Sequence, residues 1–254
     1  MRLLIIRHAD PEYVTDSLTG PGKKEAAALA ERFKQGLEGE ITHIYTSPMG
    51  RARATASYTE EALGMKANVE EWTRELTYWP RLKGGERPGE GGLAMWDLAA
   101  NDVRSTAALE RESQWDLIAG IQPAKQPFEE LQVSSDAFLA RHGYMREGFQ
   151  YRIVKPNRDI IAVFCHGGFG LTWLAHLLHI PLAVAWTSFY MSPSSVTTIL
   201  FDERSPDYAC PRAIGIGDIG HLYANGLKLS ISKYERPNTY GGWKRPSGIK
   251  ANFW

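Results

Sequence analysis

The chain has only two cysteines, Cys165 and Cys210, among its 254 residues. A disulfide framework is therefore excluded as the source of its stability, and a reducing compartment, the cytoplasm, is the expected location. Long hydrophobic runs are missing as well. No stretch approaches the roughly 18 apolar residues of a membrane span, so no membrane partner is expected. The first apolar run is too short, and too closely followed by Arg7, to read as a secretory signal. An excess of either charge is absent. Lys+Arg and Asp+Glu are both 29, which removes the basic surplus of a nucleic-acid binder and leaves no strong field to steer a charged partner. Internal repeats and low-complexity tracts are lacking too. What remains is a globular chain long enough to bury a substantial core.

What is present begins near the amino terminus. Leu3-Leu4-Ile5-Ile6 reads as a short, buried strand, and Arg7-His8 follows at its carboxyl end. Ligands of open α/β sheets bind at the carboxyl ends of strands, so this strand delivers a guanidinium and an imidazole side by side into a crevice. A phosphate suits that pair, gripped by the arginine while the histidine attacks or protonates. The pattern recurs. Ile160 to Cys165 (IIAVFC) is a second apolar strand, followed by His166-Gly167-Gly168. Those glycines let backbone N–H groups approach an anion at the start of the next helix. Between the two, Ser47 to Ala56 (SPMGRARATA) brings Arg51 and Arg53 to another strand-to-helix turn.

Periodicity outlines the rest. A proline-broken loop, Ala9 to Tyr13, leads to a helix capped by Thr19, with Ala26, Leu29, Ala30 and Phe33 on one face between Lys23 and Gln35. Ile41 to Thr46 reads as a strand and Gly50 to about Leu63 as a helix. From Trp72 to Pro156 the character changes. Gly84, Gly85, Gly89, Gly91 and Gly92 mark a loop, and helical patterns run over Asn101 to Ala119 and Ser134 to Gln150. A helix from Leu171 to His179 and strands over Ser195 to Asp202 and Arg212 to Ile216 follow. The expected fold is α/β: a three-layer α/β/α sandwich with a mostly parallel central sheet and an inserted helical and loop lid at about 76–157. Residues 1–254 form one domain, with an irregular tail at about 222–254.

These residues together resemble the histidine phosphatase superfamily, the phosphoglycerate mutase-like branch of α/β folds. The resemblance rests on Arg7-His8 after the first strand, Leu18-Thr19 with Gly22, Ser47-Pro48 with Arg51-Ala52 and Thr55-Ala56, and His166-Gly167-Gly168. It implies that His8 is the nucleophile, forming a phosphohistidine, and that Arg7, Arg51 and His166 bind the transferred phosphoryl group, with Gly167 beside them. Two guanidiniums aimed at the phosphoryl oxygens supply the charge stabilisation such a transfer needs. They also disfavour imidazolium, keeping His8 neutral in the empty pocket. The scheme requires no metal and no cofactor. The family takes the leaving-group proton from an acidic residue in the segment after the second helix, which implies Glu75, with Glu86, Glu90 and Glu12 as competitors. Here the chain departs from the family text: RHA stands for the usual RHG, and Asp10-Pro11-Glu12-Tyr13 replaces residues that contact the phosphate. Asp10 and Tyr13 are assigned to the phosphate and substrate site, Asp10 either repelling substrate or orienting Arg51 or Arg7.

The function expected is a metal-independent phosphatase hydrolysing a phosphate monoester, acting on a small phosphorylated substrate, with a phosphoprotein left open. The alternatives are mutase-type phosphotransfer and a phospho-ligand binding module without catalysis. Leu76-Thr77-Tyr78-Trp79-Pro80 does not resemble the mutases at that point, which favours hydrolysis. Other residues have plainer readings. Cys165 on an apolar strand is a small buried hydrophobe, and Arg53 divides between the site and a surface ion pair. His176 and His179 have ligand-like spacing but no completing carboxylate or thiolate, and are read as packing histidines. His221 either rims the pocket or begins the tail. Trp72, Trp79 and Trp96 are placed along a substrate cleft.

Overall fold

The computed structural model describes residues 1–77, 81–82, 93–94, 96, 98, 100–104, 109–118 and 120–229. Glu86, Glu90, Trp79 and the greater part of the tail lie outside them.

The chain opens with strand β1 (Arg2–Arg7), a two-stranded ladder of β2 (Pro11–Glu12) and β3 (Ser17–Leu18), helix α1 (Gly20–Lys34), β4 (His43–Thr46), α2 (Gly50–Leu63) and β5 (Asn68–Val69). A second small ladder, β6 (Arg81–Leu82) with β7 (Leu93–Ala94), precedes the short helices α3 (Ala100–Arg104) and α4 (Gln114–Leu117). Then come α5 (Lys125–Arg141), the hairpin β8 (Tyr144–Glu147) and β9 (Gln150–Ile153), β10 (Ile160–Cys165), α6 (Gly167–Leu177) and α7 (Leu182–Ser188). Strands β11 (Val196–Asp202) and β12 (Tyr208–Asp218) and helix α8 (Gly220–Ala224) complete the described chain.

The main sheet has the order β5-β4-β10-β1-β11-β12-β9-β8. From β5 to β1 every pairing is parallel, and from β1 outward every pairing is antiparallel. Six strands still point the same way, because only β9 and β11 are reversed. Helices cover both faces, as a fully apolar central strand requires. In β1, Leu3 and Ile5 pack with Phe169 and Trp173 of α6, while Leu4 and Ile6 pack with Leu29 and Phe33 of α1 and Ala56 of α2. All four are fully buried, each contributing on the order of 2 kcal/mol of transfer free energy. The α/β sandwich read from the sequence is the fold observed.

Helix ends follow local chemistry. Thr19 caps α1, its Oγ1 accepting the Gly22 amide at 3.0 Å. Gly64, with φ of 66°, ends α2 in the left-handed conformation. Two expectations need correction. The pattern over Asn101 to Ala119 contains only α3 and α4 among the described residues. The pattern over Ser134 to Gln150 is half helix and half hairpin: α5 stops at Arg141, and Gly143 (φ of 90°) redirects the chain where any side chain would strike the Lys155 carbonyl. As a result, Tyr144 to Ile153 extends the main sheet rather than lying over it. Helix α5 is likewise part of the body, tied to α6 by Trp173 Nε1 on Ser135 Oγ at 2.7 Å. The expected insertion therefore narrows to the segment before Lys125. Among the described residues no helix is long and apolar enough to cross a membrane.

Candidate active site

Three adjacent parallel strands, β4, β10 and β1, end together. The register pairs Arg7 with Cys165 and Ile6 with Phe164, and Phe164 in turn with Thr46. The next residue of each strand is therefore His8, His166 and Ser47, so residues far apart in sequence meet at one sheet edge. Backbone hydrogen bonds hold that edge: the His8 amide donates to the Cys165 carbonyl at 2.9 Å, and the Ser194 amide donates to the His8 carbonyl at 3.1 Å.

His8 is buried, and its protonation is legible from its partners. Arg51 Nε lies 3.2 Å from His8 Nε2, and a guanidinium can only donate. Nε2 must therefore carry the lone pair. The ring proton then sits on Nδ1, which is 2.8 Å from the Ala9 carbonyl oxygen and donates to it. Burial first, and then the charges of Arg7 and Arg51, hold the imidazole pKa well below its ordinary value despite the Ala9 bond. The result is a neutral imidazole with its Nε2 lone pair fixed beside a cation.

Arg51 is buried on the first turn of α2, and its Nη1 donates to Asp16 Oδ1 at 2.6 Å. The other oxygen of Asp16 accepts the Gly50 amide at 2.6 Å, so one carboxylate both aims the guanidinium and caps the helix that carries it. Burial works to raise the Asp16 pKa, but the bonds from Arg51 and Gly50 outweigh it and the carboxyl stays below its usual value. Gly50 is required here, because a Cβ would run into the Asp16 carbonyl. On the other side, Arg7 Nη1 donates to the Met191 carbonyl at 2.6 Å, while its buried Nε meets no hydrogen-bond partner. The guanidinium lies across Gly167, where a Cβ would come within 3.3 Å of Nε.

His166 is fully buried at the start of α6, with Nε2 2.8 Å from Ser47 Oγ and Nδ1 unpartnered. Its ring meets that of His8 edge-on, centroids 5.2 Å apart. Burial, then His8, Arg51 and Arg7, hold its pKa well below the ordinary histidine value. Two such orphaned polar atoms, one of them the Arg7 Nε donor, are costly in an otherwise satisfied interior.

Glu75 reaches the same helix start. Its Oε1 accepts the Phe169 amide at 2.8 Å and the Leu76 amide at 3.1 Å, and Oε2 accepts the Gly168 amide at 3.2 Å. Gly168 has to be glycine, since a Cβ would stand 2.8 Å from both Glu75 Oε1 and the Trp96 ring. Trp96 is thereby placed against Glu75, as a cleft residue should be, whereas Trp72 packs in the core among Phe138, Phe169 and Trp173.

The remaining candidates divide. Tyr13 is exposed, with its ring 5.6 Å from the Arg51 guanidinium carbon. Asp10 does not reach the arginines: its Oδ2 accepts the Thr19 hydroxyl at 2.6 Å and its amide donates to Glu25 at 2.9 Å. The carboxylate that orients Arg51 is Asp16, six residues later, and Asp10 is corrected to a residue of the turn before α1. Glu12 and Arg53 are exposed. Cys165 is buried and burial pushes its thiol pKa up, which suits a hydrophobe. His176 pairs with Asp136 at 2.8 Å and His179 with Arg111 at 2.6 Å, so they are held apart by separate partners. His221 is buried behind the site, 3.1 Å from Ser194 Oγ. Sequence reasoning missed Asp16, Ser47 as a partner of His166, and Ser194. Only Ser47 carried a signal, through its place after the second strand.

Residues 3–86 match the histidine phosphatase superfamily (branch 1). The protein named "Putative phosphoserine phosphatase 2" of Hydrogenobacter thermophilus is 34% identical over 86 residues, which is 30% of this chain and 41% of that protein. The alignment thus spans about two fifths of the curated relative's length. The fold is shared with phosphoserine phosphatase from Entamoeba histolytica, solved with 3-phosphoglyceric acid, at 19% identity and a TM-score of 0.57 over 87% of this chain and 98% of that one. Mycobacterial glucosyl-3-phosphoglycerate phosphatase, solved with inorganic phosphate, aligns at 18% identity and a TM-score of 0.51 over 87% and 98%. The amino-terminal match runs through Arg7-His8 and Arg51, which the fold gathers with His166 at the strand ends, so the chain is similar to the histidine phosphatase superfamily over its first third and shares its fold with these phosphatases over most of its length.

Proposed function

We propose that the chain is a phosphatase that hydrolyses a phosphate monoester through a phosphohistidine on His8. The observation that carries this reading is the His8 tautomer: Nδ1–H tied to the Ala9 carbonyl and the Nε2 lone pair beside Arg51. In the first step Nε2 attacks phosphorus and the P–O ester bond breaks. Arg7, Arg51 and His166 bind the phosphoryl oxygens, and the charge they share is greatest in the transition state. The leaving alkoxide takes a proton from Glu75, whose oxygen exchanges a backbone amide for the substrate's bridging oxygen. In the second step Glu75 accepts a proton from water as its oxygen bonds to phosphorus, the N–P bond breaks, and the imidazole returns to its starting tautomer.

The substrate class is a small phosphate monoester. Phosphoserine and 3-phosphoglyceric acid, the ligands of similarly folded phosphatases, are three-carbon phosphomonoesters with a carboxylate, and they head the panel to be tested. The test uses small phosphate esters and phosphopeptides, with chelator present, on wild type and His8→Ala. Turnover in wild type with acid-labile phosphate trapped on the protein, both lost in His8→Ala, is the expected result. Turnover that persists in His8→Ala overturns the mechanism. Phosphate binding without turnover on any ester favours a binding module, and transfer to a second hydroxyl in preference to water favours a mutase.

A further inference from the structure

The strands that carry the phosphate site have a second histidine pair at their opposite ends. His43 opens β4, and Asp159 immediately precedes β10. His142, the residue that ends α5, is brought against them. One ligand atom from each of His43, His142 and Asp159 lies within 4.8 Å of the others. The rings meet edge-on with centroids 5.1 Å apart, and His43 Nδ1 stands 3.9 Å from Asp159 Oδ2. From His43 to Ser47, β4 advances by roughly 13 Å, so this cluster is not part of the site at the other edge.

We infer that His43, His142 and Asp159 bind a divalent first-row transition cation of the zinc class. Two imidazoles and one carboxylate form the three-ligand set that Zn²⁺ accepts, with solvent completing the shell. His142 is buried, while His43 and Asp159 are partly exposed, which gives a cation access from one side.

The backbones beneath the three ligands are already tied together. Asn157 Nδ2 donates to the His142 carbonyl at 2.8 Å, and its Oδ1 accepts the Asp159 amide at 3.0 Å. The Asp159 carbonyl accepts the Arg2 amide at 2.8 Å, and Thr42, beside His43, exchanges hydrogen bonds with both backbone groups of Ile160. The second sphere is present too. Tyr45 Oη lies 3.1 Å from His142 Nε2; such an outer bond fixes the ring and tautomer of a histidine that ligates a metal through its other nitrogen. Arg141, the residue before His142, is turned to Glu70 in an ion pair, which limits its repulsion of a bound metal. Nothing in the phosphatase reading uses these residues.

The experiment is calorimetric titration of the whole chain with Zn²⁺, with Mg²⁺ and Ca²⁺ as hard-cation controls, on wild type, His142→Ala, His43→Gln, Asp159→Asn and Tyr45→Phe. His8→Ala/His166→Ala removes the competing imidazoles of the other edge. One Zn²⁺ per chain is expected in wild type and in the double variant. Loss of a direct ligand weakens binding by about 100-fold or more, and Tyr45→Phe by about 10-fold. Circular dichroism on each variant separates lost binding from lost folding, and His43→Gln, at a partly exposed position, is the variant that tests the site with least disturbance. No Zn²⁺ binding in wild type overturns the inference. So does binding that survives in folded His142→Ala and Asp159→Asn, binding that vanishes in the His8/His166 double variant, or equal affinity for Mg²⁺ or Ca²⁺. Heat of binding is read directly, so the outcome does not depend on whether the other edge turns over a phosphate ester.

Discussion

Two pairs of histidines lie at the two ends of the parallel strands of one mixed sheet, and their geometry is nearly the same. His8 and His166 meet edge-on at 5.2 Å, and His43 and His142 meet edge-on at 5.1 Å. What differs is the third partner. At the carboxyl ends of the strands it is a pair of guanidiniums, Arg7 and Arg51; at the amino ends it is the carboxylate of Asp159. Imidazole serves as nucleophile, hydrogen-bond partner or ligand with the same ring. The charge beside it selects between an anion and a cation, and the fold supplies that charge from a different loop at each edge.

The strongest way to break this contrast is to remove the positive charge. Arg51→Met deletes the donor to His8 Nε2 and, in the proposed mechanism, a phosphoryl ligand, and kcat/KM is expected to fall by on the order of 10³-fold. Steady-state kinetics on the best ester of the panel checks this, and a loss below tenfold would remove Arg51 from the transition state. Next is Glu75→Gln, which keeps the acceptor geometry toward Gly168 but cannot donate an acidic proton. Turnover of an alkyl phosphate is expected to drop by about 10²-fold or more, with a much smaller drop for an aryl phosphate whose leaving group needs no proton. Equal losses on the two esters would take the acid role from Glu75.

Asp16→Asn sharpens the comparison by altering only the residue that aims Arg51. The amide retains one acceptor for the Gly50 amide or for Arg51, not both as an anion, so kcat is expected to fall by about 10-fold from misplacement. A smaller change in KM would mark Asp16 as a positioning residue. The smallest effect concerns stability. His221 is buried behind His8, facing Ser194, Arg32 and Asp218; burial, then Arg32, lower its pKa from 6.5 to about 4 against the opposing effect of Asp218. The unfolded chain protonates this ring below about 6.5 and the folded one only near 4. Its contribution is therefore fully present above the unfolded value and is lost as pH falls through that window, at roughly 1.4 kcal/mol per pH unit. Urea titrations from pH 7 to 4.5 should show a shallower pH dependence in His221→Gln than in wild type, and an unchanged slope would reject the assignment.

Much of the site at the strand ends was legible in the sequence. Apolar runs in β1 and β10 followed by Arg7-His8 and His166-Gly167 are local signals, and α2 runs from Gly50 to Leu63, with Gly64 standing just past its carboxyl end. Asp16 was not legible. Two acidic residues share the loop after β1, and which one meets Arg51 depends on how β2 and β3 fold that loop back; Thr19 claims Asp10 first. The hairpin β8–β9 hid behind a helical run of Phe138, Leu139 and Tyr144, although Gly143 and Gly148, both with positive φ, were signals against continuing the helix. The His43–His142–Asp159 cluster had no sequence signal. Its members are about a hundred residues apart at the outermost, and only the β4–β10 register and the end of α5 bring them together, whereas the helix-spaced His176 and His179 drew notice and are held by separate partners.

The position of β1 has a further consequence for how the molecule moves. It is paired on both sides, to β10 and β11, and covered by helices on both faces. No partial opening frees such a strand, so the amide of His8, bonded to the Cys165 carbonyl, should exchange with solvent deuterium only when the whole domain unfolds. The Leu76 amide, whose acceptor is the neighbouring Glu75 side chain, should exchange far sooner. His8 is thus as immobile as the fold itself, whereas the backbone beside Glu75 opens without the sheet.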